Sequence, residues 1–195
     1  YAVRSGSGAR FGGHMIGHPS TEQPGIRSLA TTSAAETQAV AIALAGLVRA
    51  GDLLVLCGDL GAGKTAFVQG FGRALGVTAP ITSPTFTLAN RYHGEELTVH
   101  HLDVYRLAHI DEVRDLGLHE LVDDWSVTVI EWGDAIAGAL PGGYLEVRLT
   151  LGDGPDDRVV GLRTVGVEWS DREVALLALE PAATDGDPDG TDTAC

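Results

Sequence analysis

The fold of this chain is decided by Val55-Leu56-Cys57-Gly58-Asp59-Leu60-Gly61-Ala62-Gly63-Lys64-Thr65, a strand, a glycine-rich turn and a helix start. Gly58, Gly63, Lys64 and Thr65 fit the G-x-x-x-x-G-K-[ST] phosphate-loop pattern without a gap. The glycines let backbone N–H groups converge on phosphate oxygens, and the following helix points its positive end at the same anion. We therefore predict that Lys64 binds the β- and γ-phosphates of a nucleotide and that Thr65 binds Mg²⁺.

The sequence on both sides of the loop supports this prediction. Residues 53–57 form a continuous apolar run, which is typical of a parallel strand covered on both faces. Residues 64–75 place apolar side chains at helical spacing. Lys64 is also the only lysine in the chain. The alternative, a glycine-rich turn with an incidental lysine, explains neither the strand before the loop nor the helix after it.

The composition narrows the class of protein. The 195 residues suffice for one ordinary domain with additional tails, and 44% are hydrophobic, which is normal for a soluble α/β protein. The sequence contains no run of about 18 or more apolar residues, so no membrane span is predicted. Two cysteines without a disulfide or zinc pattern favour a reducing compartment. A net charge of −14 opposes broad binding to nucleic acid by this chain alone.

Composition also predicts the domain organisation. Residues 1–32 are rich in Gly, Ser, Thr and Arg without periodicity, and we predict a disordered leader or cloning remnant. The domain itself is predicted over residues 33–180. Residues 181–195 contain four Asp and no basic residue, which predicts a disordered acidic tail.

The remaining periodic segments predict the elements of the domain. Ser33 and Glu36 resemble a capping box that opens a helix to about Ala50, and Gly76 is a suitable end for the helix of residues 64–75. The other predicted elements are strands at 85–92, 97–102, 127–130, 144–151 and 158–165, a helix at 110–121, and a short strand or helix at 172–179.

Two carboxylates stand at the ends of predicted strands. Asp103 follows the strand of residues 97–102, where it can orient an attacking water or bind Mg²⁺ through water. Glu131 follows a buried strand, at the position where phosphate-loop proteins place a Mg²⁺-directed carboxylate, which is usually Asp. The alternatives are a helix N-cap for Asp103 and a surface strand end for Glu131.

The aromatic and basic neighbours of these carboxylates are less decisive. Trp132 either stacks near the nucleotide or fills the core, and His101 is a better candidate for a packed structural histidine than for a catalytic base. Arg106 can act as an arginine finger or pair with a nearby carboxylate, and the pair is the favoured interpretation.

Four motifs together resemble the TsaE (YjeE) family of small bacterial ATPases needed to make threonylcarbamoyladenosine in tRNA. They are residues 58–65, Ser83-Pro84-Thr85-Phe86-Thr87, His101-Leu102-Asp103-Val104-Tyr105-Arg106 and Ile130-Glu131-Trp132. The resemblance covers roughly residues 33–165 and implies a three-layer phosphate-loop α/β fold around a central, largely parallel sheet. It further implies a cytoplasmic, Mg²⁺-dependent ATPase that acts with the TsaD and TsaB proteins. The net charge favours contact with tRNA through such a complex.

The resemblance also implies roles for particular residues. Ser83, Pro84 and Thr85 form a switch-like segment that faces the γ-phosphate, and Thr85 is preferred to Thr87 because alternate residues of a strand face opposite sides. The implied nucleotide contacts are Asp59, Leu60, Gly61, Ala62, Gly63, Lys64, Thr65 and Ala66, with Thr37 and Arg158 as candidates for contact with the base. The implied metal ligands are Thr65 and Glu131, and the implied catalytic residues are Asp103, Lys64 and Thr85.

Other nucleotide-dependent functions fit the sequence less well. Guanine selection by an N-K-x-D motif requires a second lysine, which the chain lacks. A small-molecule kinase usually carries an arginine-bearing lid, whereas Arg148, Arg158 and Arg163 fall on predicted strands. A non-enzymatic module, in which the nucleotide only stabilises a partner-binding surface, remains the third alternative.

Overall fold

A computed structural model describes residues 26–106, 124–140 and 142–181. The strands are β1 (Ile26–Thr31), β2 (Leu53–Cys57), β3 (Ala89–His93), β4 (Thr98–Asp103), β5 (Ser126–Glu131), β6 (Tyr144–Leu151) and β7 (Arg158–Val165). The helices are α1 (Ala34–Ala45), α2 (Lys64–Ala74) and α3 (Glu173–Leu177), with 3-10 helices at Gly133–Ala139 and Ser170–Arg172. Within the described residues the strands form one seven-stranded sheet in the order β1-β7-β6-β2-β5-β4-β3.

The centre of this sheet is parallel and its margins are antiparallel. Strand β2 pairs in parallel with both β5 and β6, and β5 pairs in parallel with β4. Strands β7 and β1 on one side, and β3 on the other, run antiparallel to their neighbours. The predicted α/β class with a central, largely parallel sheet is confirmed. The carboxyl ends of four parallel strands therefore meet at one edge, where ligands of open α/β sheets bind.

Both faces of β2 are covered, as its continuous apolar run requires. Leu54 and Leu56 belong to a core cluster that includes side chains of α1 and α2. Leu53, Val55 and Cys57 point to the other side, into a cluster that includes Ile136 of the first 3-10 helix. The sheet is thus the middle layer of the fold.

Helix α1 begins as predicted but ends earlier. The Ser33 hydroxyl accepts a hydrogen bond from the Glu36 N–H at 3.1 Å, which confirms the capping residue. The prediction that the helix reaches Ala50 is wrong, because the backbone tightens to i→i−3 hydrogen bonds after Ala45. The Asp52 carboxylate then accepts a hydrogen bond from the Arg49 N–H at 2.6 Å, in the turn that leads into β2.

The same Asp52 carboxylate forms a buried ion pair with Arg172, near the end of the described chain. Nη1 and Nη2 of Arg172 lie 2.5 and 2.9 Å from the two carboxylate oxygens. The guanidinium also stacks over the Trp169 ring at 3.9 Å from its centroid. This pair joins the segment after α1 to the carboxyl-terminal helices.

Two further boundary predictions are wrong. The predicted disordered segment of residues 1–32 contains β1, which is ordered by antiparallel pairing with β7. The predicted strand at 85–92 begins only at Ala89, because Pro84 O accepts hydrogen bonds from the N–H groups of Thr87 and Leu88 and closes a turn. Leu88 has a φ of 65°, outside the range of an extended strand.

Other predicted boundaries agree with the structure. Strands β6 and β7 match the predicted ranges, Gly76 adopts a left-handed conformation at the end of α2, and the last predicted element is helical. Residues 1–25, the predicted helix at 110–121, and the acidic tail from residue 182 lie outside the described residues. No helix in the described ranges is long and apolar enough to cross a membrane.

Candidate nucleotide-binding site

The phosphate loop connects β2 to α2 and needs glycine where it bends. Gly58 has a φ of 137°, and a Cβ there would lie 2.2 Å from the carbonyl oxygen of Leu149 on the neighbouring strand. Gly63 has a φ of 102° at the start of α2. Because side chains rarely adopt these conformations, the two glycines of the motif are required by the path of the backbone.

Lys64 is buried and folds back over the loop. Its Nζ donates hydrogen bonds to the carbonyl oxygens of Gly58 and Asp59 at 2.7 and 2.9 Å. The same Nζ lies 3.6 Å from the centroid of the Trp132 ring. Burial lowers the pKa of the ammonium group, and the nearby Glu131 and Asp103 carboxylates oppose that shift. The positive charge is therefore held at the mouth of the loop by polar and aromatic groups.

Thr65 and Glu131 bring two oxygen donors together beside Lys64. The Thr65 hydroxyl donates to Oε1 of Glu131 at 3.0 Å. The same oxygen lies 2.9 Å from Nε2 of His101, whose ring is fully buried. A hydroxyl and a carboxylate are hard oxygen ligands of the kind that Mg²⁺ prefers, and Mg²⁺ sites usually combine one or two such ligands with phosphates and water. This donor set fits the magnesium ion implied by the sequence.

Asp103 organises the segment that contains Thr85. Oδ2 of Asp103 accepts a hydrogen bond from the Thr85 hydroxyl at 2.5 Å, and the Ser83 hydroxyl lies 2.6 Å from that of Thr85. Oδ1 accepts from the Tyr105 N–H at 2.9 Å. Thr85 lies in a turn and not in a strand. The alternation predicted for Thr85 and Thr87 in a strand therefore does not explain the contact of Thr85 with Asp103. Asp103 is only 2% exposed, so it is not a surface helix cap.

These side chains surround one cavity of about 330 Å³. Its lining comprises the loop and the start of α2, the hydroxyl segment, and the ends of β4 and β5: Leu60, Gly61, Gly63, Lys64, Thr65, Ala66, Ser83, Thr85, Asp103, Glu131 and Trp132. The structure thus brings together every predicted catalytic and metal-binding residue. Asp59 contacts the site through its carbonyl oxygen, which accepts from Lys64.

The two residues predicted to contact the base lie beside a second, smaller cavity of about 50 Å³. Thr37 and Arg158 line it together with Ala34, Gly63, Ala66 and Asp156. The Thr37 hydroxyl is buried and donates to Ser33 O at 3.2 Å. The Arg158 guanidinium donates to backbone carbonyl oxygens on both sides, including those of Gly61 and Ala62 in the loop.

Comparison with known proteins places this arrangement in a family. A model of the family "Threonylcarbamoyl adenosine biosynthesis protein TsaE" matches residues 31–160, which is more than half of the chain. The chain belongs to the TsaE family.

Relatives and a solved structure agree with this membership. The TsaE protein of Bacillus subtilis is 40% identical over 136 residues, covering 70% of this chain and 84% of that protein. The TsaE protein of Streptomyces coelicolor is 42% identical over 142 residues, covering 69% and 95%. The crystal structure of Bacillus subtilis YdiB superimposes with a TM-score of 0.66 at 34% identity, covering 78% of this chain and 94% of that one.

Two residues of this TsaE family member have a larger part in the site than the sequence indicated. His101, expected to be a packed structural histidine, contacts the Glu131 carboxylate, and Trp132 contacts Lys64. A signal for His101 was present, because it stands two positions before Asp103 and shares its face of the strand. The position of Trp132 has no such signal, since it depends on a left-handed backbone conformation with a φ of 62°.

Arg106 contacts an aromatic ring among the described residues, and its favoured pairing with a carboxylate stays a prediction. Its guanidinium carbon lies 4.6 Å from the centroid of the exposed Phe86 ring in the switch-like segment. This contact connects the end of the histidine motif with the segment that contains Thr85.

Proposed function

We propose that this protein is the Mg²⁺-dependent ATPase subunit that supports threonylcarbamoyladenosine modification of tRNA in the cytoplasm, together with the TsaD and TsaB proteins. The observation that carries the proposal is the contact between Thr65 and Glu131, 3.0 Å apart at the mouth of the phosphate loop and beside Lys64. This contact unites the hydroxyl of the first nucleotide motif with the carboxylate of the second. Membership in the TsaE family supports the pathway.

In the proposed reaction, Lys64 exchanges its contacts with Gly58 and Asp59 for the β- and γ-phosphate oxygens of ATP. Backbone N–H groups of the loop and the amino-terminal end of α2 hold the same phosphates. Thr65 and Glu131 would hold the Mg²⁺ ion, which neutralises charge that develops on the phosphates. Lys64 and the loop amides then stabilise the transferred phosphoryl group by position and charge.

Asp103 is the residue we assign to the attacking water. Its carboxylate is buried beside Thr85 and Ser83, and it lines the same cavity as Lys64. A carboxylate there can accept a hydrogen bond from water and align it with the γ-phosphate. The Thr85 hydroxyl, which now donates to Asp103, is free to turn toward a phosphate oxygen once that water is bound.

The position of three arginines favours hydrolysis over a small-molecule kinase. Arg148 and Arg163 both pair with Glu146 on β6, and Arg158 is held by backbone carbonyl oxygens. All three side chains are thus engaged by other groups of the domain, Arg158 by the phosphate loop itself, whereas a kinase lid needs mobile cations above the phosphates. A non-catalytic assembly module would use the same nucleotide site, so it has to be distinguished by turnover.

The experiment is to measure ATP hydrolysis by this protein alone and with TsaD, TsaB and tRNA, while scoring the modified tRNA. We expect hydrolysis that rises with the partners, and loss of both activities in the Lys64→Ala variant. Modification that requires ATP binding but continues in a variant without turnover would favour the assembly module. Normal modification in the absence of this protein would overturn the proposal and lead to a screen of phosphate acceptors.

The net charge of −14 supports contact with tRNA through the complex rather than through this chain alone. A polyanionic RNA is repelled by an acidic surface unless basic groups of another protein intervene. We therefore expect the isolated protein to leave tRNA mobility in a native gel unchanged, and the complex with TsaD and TsaB to retard it.

A further inference from the structure

Arg158 connects the turn between β6 and β7 with the phosphate loop. Its Nε donates to the carbonyl oxygen of Ala62 at 3.1 Å, and its Nη2 donates to that of Gly61 at 3.2 Å. On the other side, Nη1 donates to the carbonyl oxygens of Pro155 and Asp157 at 2.8 and 2.7 Å. Four of the five N–H groups of a guanidinium are therefore engaged by backbone carbonyls.

Packing supports the tip of the phosphate loop only in part. Ala62 is fully buried in the core, whereas Leu60 is 85% exposed and a Cβ at Gly61 would meet nothing within 4 Å. Packing therefore leaves the peptide plane between Gly61 and Ala62 without a neighbour at Leu60 and Gly61 to fix it. The hydrogen bonds from Arg158 do fix the peptide planes at this tip, because a carbonyl oxygen bound at one side sets the plane of its whole peptide group.

The direction of these peptide planes is what matters for an anion. In a trans peptide the C=O and the following N–H point to opposite sides. Because Arg158 holds the Gly61 carbonyl oxygen, the Ala62 N–H of the same peptide group points away from Arg158. This N–H donates a hydrogen bond to Asp59 O at 3.1 Å. Holding the Ala62 oxygen likewise directs the Gly63 N–H away from Arg158. That N–H belongs to the stretch whose amides bind phosphate in this motif.

Arg158 is itself well anchored. Its backbone lies in β7 and is in register with Thr31 of β1. The turn before it is braced by Asp157, whose carboxylate accepts from the Gly154 N–H at 3.0 Å and whose carbonyl accepts from the Gly152 N–H at 2.9 Å. The guanidinium is thus held between a rigid turn and the loop.

We propose that Arg158 is a positioning residue that holds the phosphate loop in its anion-binding shape through the carbonyl oxygens of Gly61 and Ala62. The inference rests on the proposed nucleotide function of this loop. It assigns Arg158 to phosphate affinity in general and not to recognition of the base. A lysine cannot replace it, because one ammonium group lacks the planar fork that reaches two carbonyls on one side and two on the other.

The experiment measures the affinities of ATP, GTP and inorganic tripolyphosphate for the wild type, Arg158→Ala and Arg158→Lys by calorimetry. Arg163→Ala is the matched control, since it removes the same charge from the same strand but breaks only a pair with Glu146. We expect both Arg158 variants to lose about tenfold or more in affinity for ATP and tripolyphosphate alike, with the ATP-to-GTP ratio unchanged. The control is expected to bind as the wild type does.

A second readout separates positioning from a general loss of stability. Thermal unfolding establishes that each variant is folded, and amide hydrogen exchange is then followed at Ala62, whose N–H donates to Asp59 O. We expect faster exchange at Ala62 in Arg158→Ala at temperatures where the rest of β7 stays protected. A merely structural arginine would change protection across β6 and β7 together.

Three results would overturn the inference. Weaker ATP binding with unchanged tripolyphosphate binding would make Arg158 a base contact. Full rescue by Arg158→Lys would reduce its role to charge, and unchanged affinity and exchange in Arg158→Ala would remove any role. Wild-type protein that binds neither ATP nor tripolyphosphate would instead overturn the proposed nucleotide site, and this inference with it.

Discussion

The Thr65 hydroxyl donates a hydrogen bond of 3.0 Å to Oε1 of Glu131, and this contact joins the phosphate loop to the neighbouring strand. The parallel register of β2 and β5, which sets Leu56 opposite Glu131, makes the contact possible. His101 holds the same carboxylate oxygen from the other side at 2.9 Å. Glu131 is thus held from two sides, as expected of a metal ligand that is oriented by its neighbours.

Thr65→Ala and Glu131→Ala are therefore expected to weaken the dependence of nucleotide binding on Mg²⁺. Each variant removes one of the two proposed oxygen ligands, and we expect the Mg²⁺ concentration at half-saturation to rise about tenfold or more. The measurement is a Mg²⁺ titration at fixed ATP. Thr150→Ala, at an exposed position on β6, is the control. Wild-type Mg²⁺ titrations in both site variants would show that the metal lies elsewhere.

Lys64→Ala is expected to lower ATP affinity by about tenfold to a hundredfold, because it removes the cation directed at the β- and γ-phosphates. Calorimetric titration with ATP measures the loss. Arg73→Ala is a matched control, since it removes a positive charge from the exposed carboxyl-terminal end of the same helix. Equal affinity in Lys64→Ala and wild type would eliminate the assigned role.

Asp103→Asn is expected to reduce turnover about a hundredfold while changing ATP affinity much less, because it removes the charge that we propose orients the attacking water. The amide keeps the volume of the side chain and can still accept from Thr85. Single-turnover hydrolysis and calorimetry separate the two effects. Asp153→Asn, in the exposed turn after β6, is the control, and equal losses of binding and turnover would indicate a structural role for Asp103.

Cys57 predicts a pH dependence of stability. Burial raises the pKa of its thiol to about 12, well above the ordinary value of 9.0. The protonated thiol contributes stability fully below about pH 9, and that contribution is lost as the pH rises toward 12, since only the unfolded chain then releases the proton. Urea unfolding of wild type and Cys57→Ala at about pH 8 and about pH 10 tests this. Between these two pH values we expect the free energy of unfolding to fall more in the wild type than in Cys57→Ala. Equal decreases in the two proteins would contradict the prediction.

The ion pair between Arg172 and Asp52 predicts a large effect on stability without an effect on the site. Removing one partner of a buried pair leaves an uncompensated charge, so we expect Arg172→Ala to lower the free energy of unfolding by about 3–5 kcal/mol. Arg49→Ala breaks an exposed pair with Asp171 and is expected to cost far less stability, because solvent screens an exposed ion pair. Similar costs for the two variants in urea unfolding would contradict this difference.

Much of the fold was predictable from local patterns. The continuous apolar run of β2 indicated a central parallel strand, and the alternating segments at 144–151 and 158–165 gave β6 and β7 with their observed bounds. The site followed from motif spacing, because residues at the carboxyl ends of adjacent parallel strands must meet. Asp103 and Glu131 do so.

The errors arose where long-range contacts decide local structure. The segment between the end of α1 and β2 is held by the pairing of Asp52 with Arg172, 120 residues away in the sequence. Strand β1 carries no periodic signal and depends on pairing with β7. Arg158 donates hydrogen bonds to the backbone carbonyl oxygens of Gly61 and Ala62. Because every residue has a backbone carbonyl, no pattern of side chains in the sequence predicts these contacts.

The pairing of β4 with β5 sets Asp103 directly opposite Glu131. Substitutions at other positions of these strands leave that alignment intact, whereas a single inserted or deleted residue would turn one carboxylate to the opposite face of the sheet. The length of the two strands is therefore constrained more tightly than their sequence. Natural variation in chain length should fall in the turn between His93 and Thr98, where the count of residues does not move either carboxylate.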